Sequence, residues 1–167
     1  MSIQHALLAI ASFLSIGSAA IAAEPVIVPA LVCRGYFLVP ITLAAREGYA
    51  RDRTLWFLHD TGASSSYVDP DSIERITGLR LGERDRANIT DARTGPVAIG
   101  NLRARVSQLD HLSRALGHPI DGILSFGAFS DYLLTLDYEH GEMRLEAGEL
   151  PPPDGITVFD ADGPDYR

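Results

Sequence analysis

The feature that most constrains this chain is the stretch 56–64, in which an apolar run ends abruptly on a carboxylate. Trp56, Phe57 and Leu58 lead through His59 to Asp60, and a hydroxyl residue, a glycine and two small residues follow. Apolar residues bounded by glycine and small polar residues are typical of a strand that ends in a tight loop. We therefore predict a strand over 54–59 that presents Asp60 at its end.

Composition limits the classes of function. The chain has 167 residues, enough for one compact domain, and carries 22 acidic against 14 basic residues, a net charge of −8. No basic tract is present, so nucleic-acid binding is not expected. Cys33 is the only cysteine, which excludes an intramolecular disulfide. His111, His118 and His140 are dispersed and lack a ligand spacing, so no metal or cofactor is predicted.

The first 23 residues contain no Asp, Glu, Lys or Arg. An apolar block over 6–16 is followed by small residues, with an A-x-A cleavage site at 20–22. This pattern predicts a signal peptide over 1–23 and a periplasmic or secreted protein. The alternative is an uncleaved membrane anchor, the only membrane contact we expect, but the apolar block is short for a span of about 20 residues.

The rest of the chain is read as short strands separated by turns. The segments 25–33 and 36–44 form one predicted hairpin, 97–99 and 102–109 a second, and 132–138 and 142–146 a third. Residues 45–53 are predicted to be a loop.

Two short helices interrupt these strands. Asp69 is the predicted N-cap of the first, Pro70 its first residue and Gly78 its stop, and the second covers 110–116. We predict an all-β, barrel-like domain over 24–148 with one or two short helices, followed by a proline-rich exposed tail over 149–167.

The tetrapeptide Asp60-Thr61-Gly62-Ala63 resembles the active-site motif of aspartic proteases, most closely the retropepsin-like proteases and their exported bacterial branch. A second landmark of that family is an apolar pair followed by glycine. Here the pair is Ile123-Leu124, and Ser125 stands where the family has glycine. The resemblance extends over about residues 29–146 and implies a closed retropepsin-like acid-protease barrel.

The resemblance also implies the chemistry. In this family two carboxylates share one proton, and a water activated between them attacks the peptide bond without metal or cofactor. Asp60 would be the acid/base residue, with Thr61 interlocking the two halves and Gly62 bringing its N–H to the carboxylate. Four residues would contact substrate or pack beside it: Ala63, Ser64, Ile123 and Leu124.

The chain contains only half of such a site. Asp121-Gly122, Asp154-Gly155 and Asp162-Gly163 all lack the hydroxyl residue of the motif. The resemblance therefore implies a homodimer in which two copies of Asp60 face each other and act on a peptide or protein substrate.

Two further expectations concern the surroundings of Asp60. The stretch 83–96 corresponds to the mobile hairpin, or flap, that covers substrate in the family, and Gly95 lies only near its end. His59 is expected to point away from the Asp60 pair, because neighbours in a strand alternate. Asp121 is expected to be a loop carboxylate, with an ion pair across the dimer as the alternative.

Two alternatives to an active protease remain open. One is a catalytically inactive, extracytoplasmic binding module that keeps the barrel, which Ser125 and the glycine-poor flap favour. The other is that the proline-rich end leads to a partner domain that this chain lacks.

Overall fold

A computed structural model describes residues 24–43, 54–99 and 102–148. This part of the chain is mostly β-structure with two α-helices, α1 (Pro70–Thr77) and α2 (Asp110–Leu116), and one 3₁₀ helix (Phe126–Phe129). The twelve strands are β1 (Val26–Pro29), β2 (Leu31–Cys33), β3 (Tyr36–Thr42), β4 (Thr54–Asp60), β5 (Ser66–Val68), β6 (Arg86–Ile89), β7 (Arg93–Thr94), β8 (Val97–Ala98), β9 (Leu102–Val106), β10 (Gly122–Ser125), β11 (Leu133–Asp137) and β12 (Glu142–Glu146). The prediction of an all-β domain with short helices is confirmed.

The strands form two sheets. The larger runs in the order β6-β9-β5-β10-β4-β3-β7-β8, with β2 paired to β3, and the smaller runs β1-β12-β11. In the described residues β6 and β8 are opposite edges of a curled sheet, so the predicted closed barrel is wrong: the barrel is open. The strands at the second edge, β7 and β8, are two residues long and end the sheet without reaching β6.

Local sequence explains α1. The Asp69 side chain accepts hydrogen bonds from the backbone N–H groups of Asp71 and Ser72, both at 3.1 Å, and Pro70 occupies the first turn. The helix ends at Gly78, whose φ of 68° is the left-handed conformation that glycine adopts without strain. The predicted bounds of this helix are confirmed.

The two faces of β3 and β4 are both covered. Phe37 and Phe57 point into the main core, whereas Leu38 and Leu58 point into a smaller cluster that includes Leu116 of α2. Because successive side chains of a strand alternate between faces, a strand covered on both sides reads as a continuous apolar run. This is why residues 55–58 show no polar alternation.

One of the three predicted hairpins is present, and the one predicted from 25–33 and 36–44 is present in part, because β1 in its first arm pairs with β12. The turn at Arg34-Gly35 joins β2 to β3, and β11 pairs with β12. The hairpin predicted from 97–99 and 102–109 is wrong. β8 pairs with β7 instead, whereas β9 pairs with β5 and β6 at the far side of the sheet.

Several expectations fall outside the described residues: the signal peptide over 1–23, the loop over 45–53 and the tail from 149. Within the described ranges, neither helix has the length and apolar character needed to cross a membrane.

Candidate active site

Asp60 is the last residue of β4 and its side chain is exposed. The chain turns immediately after it, and the Ala63 N–H donates to the Asp60 carbonyl oxygen at 3.2 Å. The Gly62 N–H donates to the Asp60 carboxylate oxygen Oδ1 at 2.9 Å. A Cβ added at Gly62 would lie 3.4 Å from that same oxygen, so glycine leaves this side of the carboxylate open. The turn thus presents a carboxylate to solvent with one backbone donor already attached.

Strand β10 runs parallel to β4 and ends beside Asp60. In this pairing Ser125 lies directly opposite Asp60, and Leu124 lies opposite His59. On its other side β10 pairs with β5, which begins at Ser66. The loop 61–65 therefore crosses the end of β10 to join the two strands that flank it.

Ser125 is tied to Ser66 by its backbone and by its side chain. Its N–H donates to the Ser66 hydroxyl oxygen at 3.1 Å, and the two hydroxyl oxygens lie 3.1 Å apart, within hydrogen-bond distance. The Ser125 side chain is therefore accommodated by a polar partner across the sheet.

The remaining predicted site residues lie at different depths. Thr61, Gly62 and Ser64 are exposed in the loop after Asp60, and Ala63 is half-buried there. Ile123 is half-buried, whereas Leu124 has 0% of its surface exposed and belongs to the main core. In a single chain Leu124 has no surface with which to touch a substrate, and it supports the strand pairing behind Asp60.

His59 points away from Asp60. It is 6% exposed and its ring packs edge to face on Phe129, with 5.6 Å between ring centroids. Neither ring nitrogen has a hydrogen-bond partner in the described part of the protein. Burial lowers the pKa of His59 below its ordinary value, and the nearby Asp60 carboxylate opposes that change only in part. The ring is therefore neutral near pH 7.

Asp121 is not a solvated loop carboxylate, and its expected exposure is wrong. It is 5% exposed. Its Oδ2 accepts the Trp56 N–H at 2.8 Å, and its Oδ1 accepts from the Ser72 hydroxyl at 2.6 Å and from the Arg75 guanidinium at 3.0 Å. One carboxylate thereby joins β4 to α1. In the sequence, Asp121 appears only as part of an Asp-Gly pair before an apolar strand. That pattern does not indicate that the carboxylate is buried.

The stretch 83–96, expected to form a flap, is divided between the two edges of the larger sheet. Residues 86–89 form an edge strand, and β7 and β8 form a tight hairpin around Gly95 and Pro96. Arg93 of that hairpin pairs with Thr42, which lies opposite Thr54. Thr54 and Asp60 are the two ends of β4, about 20 Å apart at 3.3 Å per residue. The hairpin is therefore fixed at the opposite end of the strand from Asp60.

A cleft of about 530 Å³ lies elsewhere, between α1 and α2. Its charged walls combine Asp71 and Arg75 of α1 with Asp110 and Arg114 of α2. It includes neither Asp60 nor the loop after it. Across the described ranges, no three His, Cys, Asp or Glu side chains are grouped so that they could hold a metal ion.

Comparison with solved structures finds five similar chains. No protein-family model and no curated protein sequence matches this chain. The crystal structure of a retropepsin-like aspartic protease from Rickettsia conorii is similar to it at 13% sequence identity and a TM-score of 0.49, covering 74% of this chain and 90% of that one.

Proposed function

We propose that this chain is an aspartic-type endopeptidase that acts as a homodimer, with one Asp60 carboxylate from each copy. One observation carries the proposal. Asp60 is exposed at the end of a buried strand, in a turn whose Gly62 N–H already binds the carboxylate. The exposed carboxylate forms no ion pair with any described residue, which leaves it free to face a second carboxylate.

The reaction needs two such carboxylates. Two close carboxylates cannot both ionise cheaply, so one stays protonated. The ionised Asp60 takes a proton from a water, whose oxygen attacks the peptide carbonyl carbon. The protonated Asp60 of the other copy donates to the carbonyl oxygen. Collapse of the tetrahedral intermediate breaks the C–N bond: the leaving nitrogen takes up the proton that the first Asp60 took from water, and one hydroxyl of the intermediate returns a proton to the second Asp60. The Gly62 N–H keeps the carboxylate oriented through these steps.

The test uses the full chain with a broad peptide library. We expect cleavage by the dimer, inhibition by a transition-state-mimicking peptide, and loss of at least about a hundredfold in Asp60→Asn, which keeps the shape of the side chain but not its basicity. Asp110→Asn, an exposed carboxylate at the start of α2, is the matched control and should cleave normally. Cleavage retained in Asp60→Asn would reject the assignment.

A second candidate is a binding module that keeps the fold without catalysis. The observation that favours it is the position of the β7–β8 hairpin, which is attached at the level of the far end of β4 rather than beside Asp60. If the verified dimer cleaves no peptide over a wide pH range but binds peptides, and Asp60→Asn binds them equally well, this function replaces the first.

We also propose that the protein is exported, on the composition of residues 1–23, with the domain starting near residue 24 and the tail near 149. Sequencing the amino terminus of the protein recovered from the periplasm or medium tests this. A start near Ala23 or Glu24 is expected, and an intact Met1 in the membrane fraction would instead indicate an anchor.

A further inference from the structure

The short loop that carries Asp60 is held at both ends by a single residue of another strand, Ser125. At the first end, Ser125 is opposite Asp60 in the parallel β4–β10 pairing. At the second end, 61–65 leads to Ser66, whose hydroxyl binds the Ser125 N–H and lies within hydrogen-bond distance of the Ser125 hydroxyl. Asp60 and Ser66 are therefore connected through Ser125 as well as through the chain.

The Ser66 side chain accepts a hydrogen bond that extends the pairing of β5 with β10. In the antiparallel pairing of β5 with β10, Val68 lies opposite Gly122 and Tyr67 lies opposite Ile123. The backbone pairing ends at Tyr67. Ser66 is the next residue along β5, and its side-chain oxygen, rather than a backbone carbonyl, receives the next N–H, that of Ser125. A side-chain hydrogen bond thus extends the strand pairing to the level of Asp60.

Packing on this side is loose. Ser66 itself is only 3% exposed, but the two serines border a small cavity of about 120 Å³. Its wall also includes Ile99, Leu102, Arg103, Gly127 and Ala128. The end of β10 is thus not held by close packing on the cavity side. On this side the end of β10 is held by the two contacts of Ser125 with Ser66, and on its other side by the pairing with β4.

We propose that Ser66 and Ser125, here called the serine pair, are positioning residues for Asp60. This inference rests on the proposed function, because the two Asp60 carboxylates of a dimer must meet at hydrogen-bond distance to share a proton. Misplacement of a reacting group by about 1 Å can cost about a hundredfold in rate. Ser125 therefore does not obstruct the loop; it anchors the loop through Ser66.

The central variant is Ser66→Ala, which leaves the Ser125 N–H and hydroxyl without their partner. We expect kcat per active site to fall about tenfold or more, with KM changed less than twofold, because substrate binding does not require the serine pair whereas carboxylate alignment does. Active sites are counted by titration with a tight inhibitor, so that a lower folded fraction does not imitate a lower rate.

Two further variants show how much each contact between Ser66 and Ser125 contributes to kcat. Ser125→Ala keeps the N–H donor and removes only the hydroxyl, so its loss of kcat should be smaller than that of Ser66→Ala. If Ser66→Ala does not fold, Ser125→Ala takes its place as the test of the proposal. Ser65→Ala is the matched control from the same loop, and we expect wild-type kcat from it. Wild-type kcat in both Ser66→Ala and Ser125→Ala, or an equal loss in Ser65→Ala, would overturn the proposal.

A readout without catalysis separates this proposal from the proposed function. Hydrogen exchange of the Ser125 amide and the ¹³C chemical shift of the Asp60 carboxyl carbon are compared between wild type and Ser66→Ala. If the wild type cleaves nothing, the protease assignment fails, yet faster exchange and a moved carboxyl resonance would still support positioning of Asp60 by the serine pair. Unchanged exchange and an unchanged resonance would overturn it.

Discussion

His59 and Asp60 are consecutive residues of β4 that lie on opposite faces of the sheet. The His59 ring is buried against Phe129, whereas the Asp60 carboxylate is exposed at the turn. Burial keeps the ring uncharged near neutral pH, so His59 contributes no positive charge to the site under those conditions. The strand thus supplies an apolar support on one side and an acid on the other.

This burial predicts loss of stability in acid. The folded-state pKa of His59 is lowered, so the unfolded chain protonates first as the pH falls below about 6.5. The contribution of the uncharged His59 to the free energy of unfolding is fully present above that pH. Below it, the free energy of unfolding decreases by up to about 1.4 kcal/mol per pH unit for one proton, until the pH reaches the folded-state pKa. Urea unfolding between pH 8 and pH 5 measures the slope.

His59→Phe should flatten that slope, because phenylalanine fills the same apolar site and does not titrate. His111→Gln, on the exposed surface of α2, is the control and should keep the wild-type slope. An equal slope in His59→Phe and wild type would show that other groups dominate the acid response. The proposed protease is accordingly expected to work nearer neutral pH than acid.

Removal of the Asp121 carboxylate should destabilise the fold. Asp121→Ala leaves the Trp56 N–H and the Ser72 hydroxyl without their acceptor, and Arg75 without its ion pair. We expect a loss of about 2–3 kcal/mol in the free energy of unfolding, since the Ser72 hydroxyl is buried and the Trp56 N–H is half-buried, whereas Arg75 retains access to water. Asp131→Ala, on the surface, should change it by less than about 0.5 kcal/mol. Equal losses in Asp121→Ala and Asp131→Ala would contradict a stabilising role for the hydrogen bonds of Asp121.

Gly122 is constrained by packing against Phe57. A Cβ at this position would lie 2.1 Å from Phe57 Cε1, and the Phe57 ring has no exposed surface into which to move. Gly122→Ala should therefore lower the free energy of unfolding by about 1–3 kcal/mol. Chemical denaturation tests this, with Gly82→Ala as a control, where a Cβ would lie at an ordinary contact distance of 3.6 Å from Asp85 Oδ2. Adding Phe57→Leu to Gly122→Ala should recover part of the loss.

The N-cap of α1 also binds a second segment. Asp69 Oδ1 accepts two N–H groups of the first turn, and Oδ2 accepts the Leu109 N–H at 3.0 Å. Asp69→Ala removes all three acceptor contacts, and we expect a loss of about 2 kcal/mol or more in the free energy of unfolding. Asp69→Asn, which keeps a carbonyl oxygen for the cap, should lose less; equal losses would mean that the cap contributes little.

Part of this protein is determined by the sequence alone. The bounds of α1 and the turn between β11 and β12 follow from residues a few positions apart, and the strand that ends in Asp60 follows from its continuous apolar run. An aspartate accepts N–H groups two and three residues later, and a glycine takes a left-handed turn, whatever lies beyond them. Alternation along a strand likewise separates His59 from Asp60.

Only the tertiary structure decided which distant segments meet. The insertion of β10 between β4 and β5 places Ser125 beside both Asp60 and Ser66, and it buries Asp121 beneath α1. In the described residues β8 pairs locally with β7 while β9 pairs with the distant β5, so the expected 97–109 hairpin does not form and the barrel stays open. The β4–β10 pairing joins residues 65 positions apart, such as Phe57 and Gly122, through backbone groups that every residue carries, so local composition does not encode the partner.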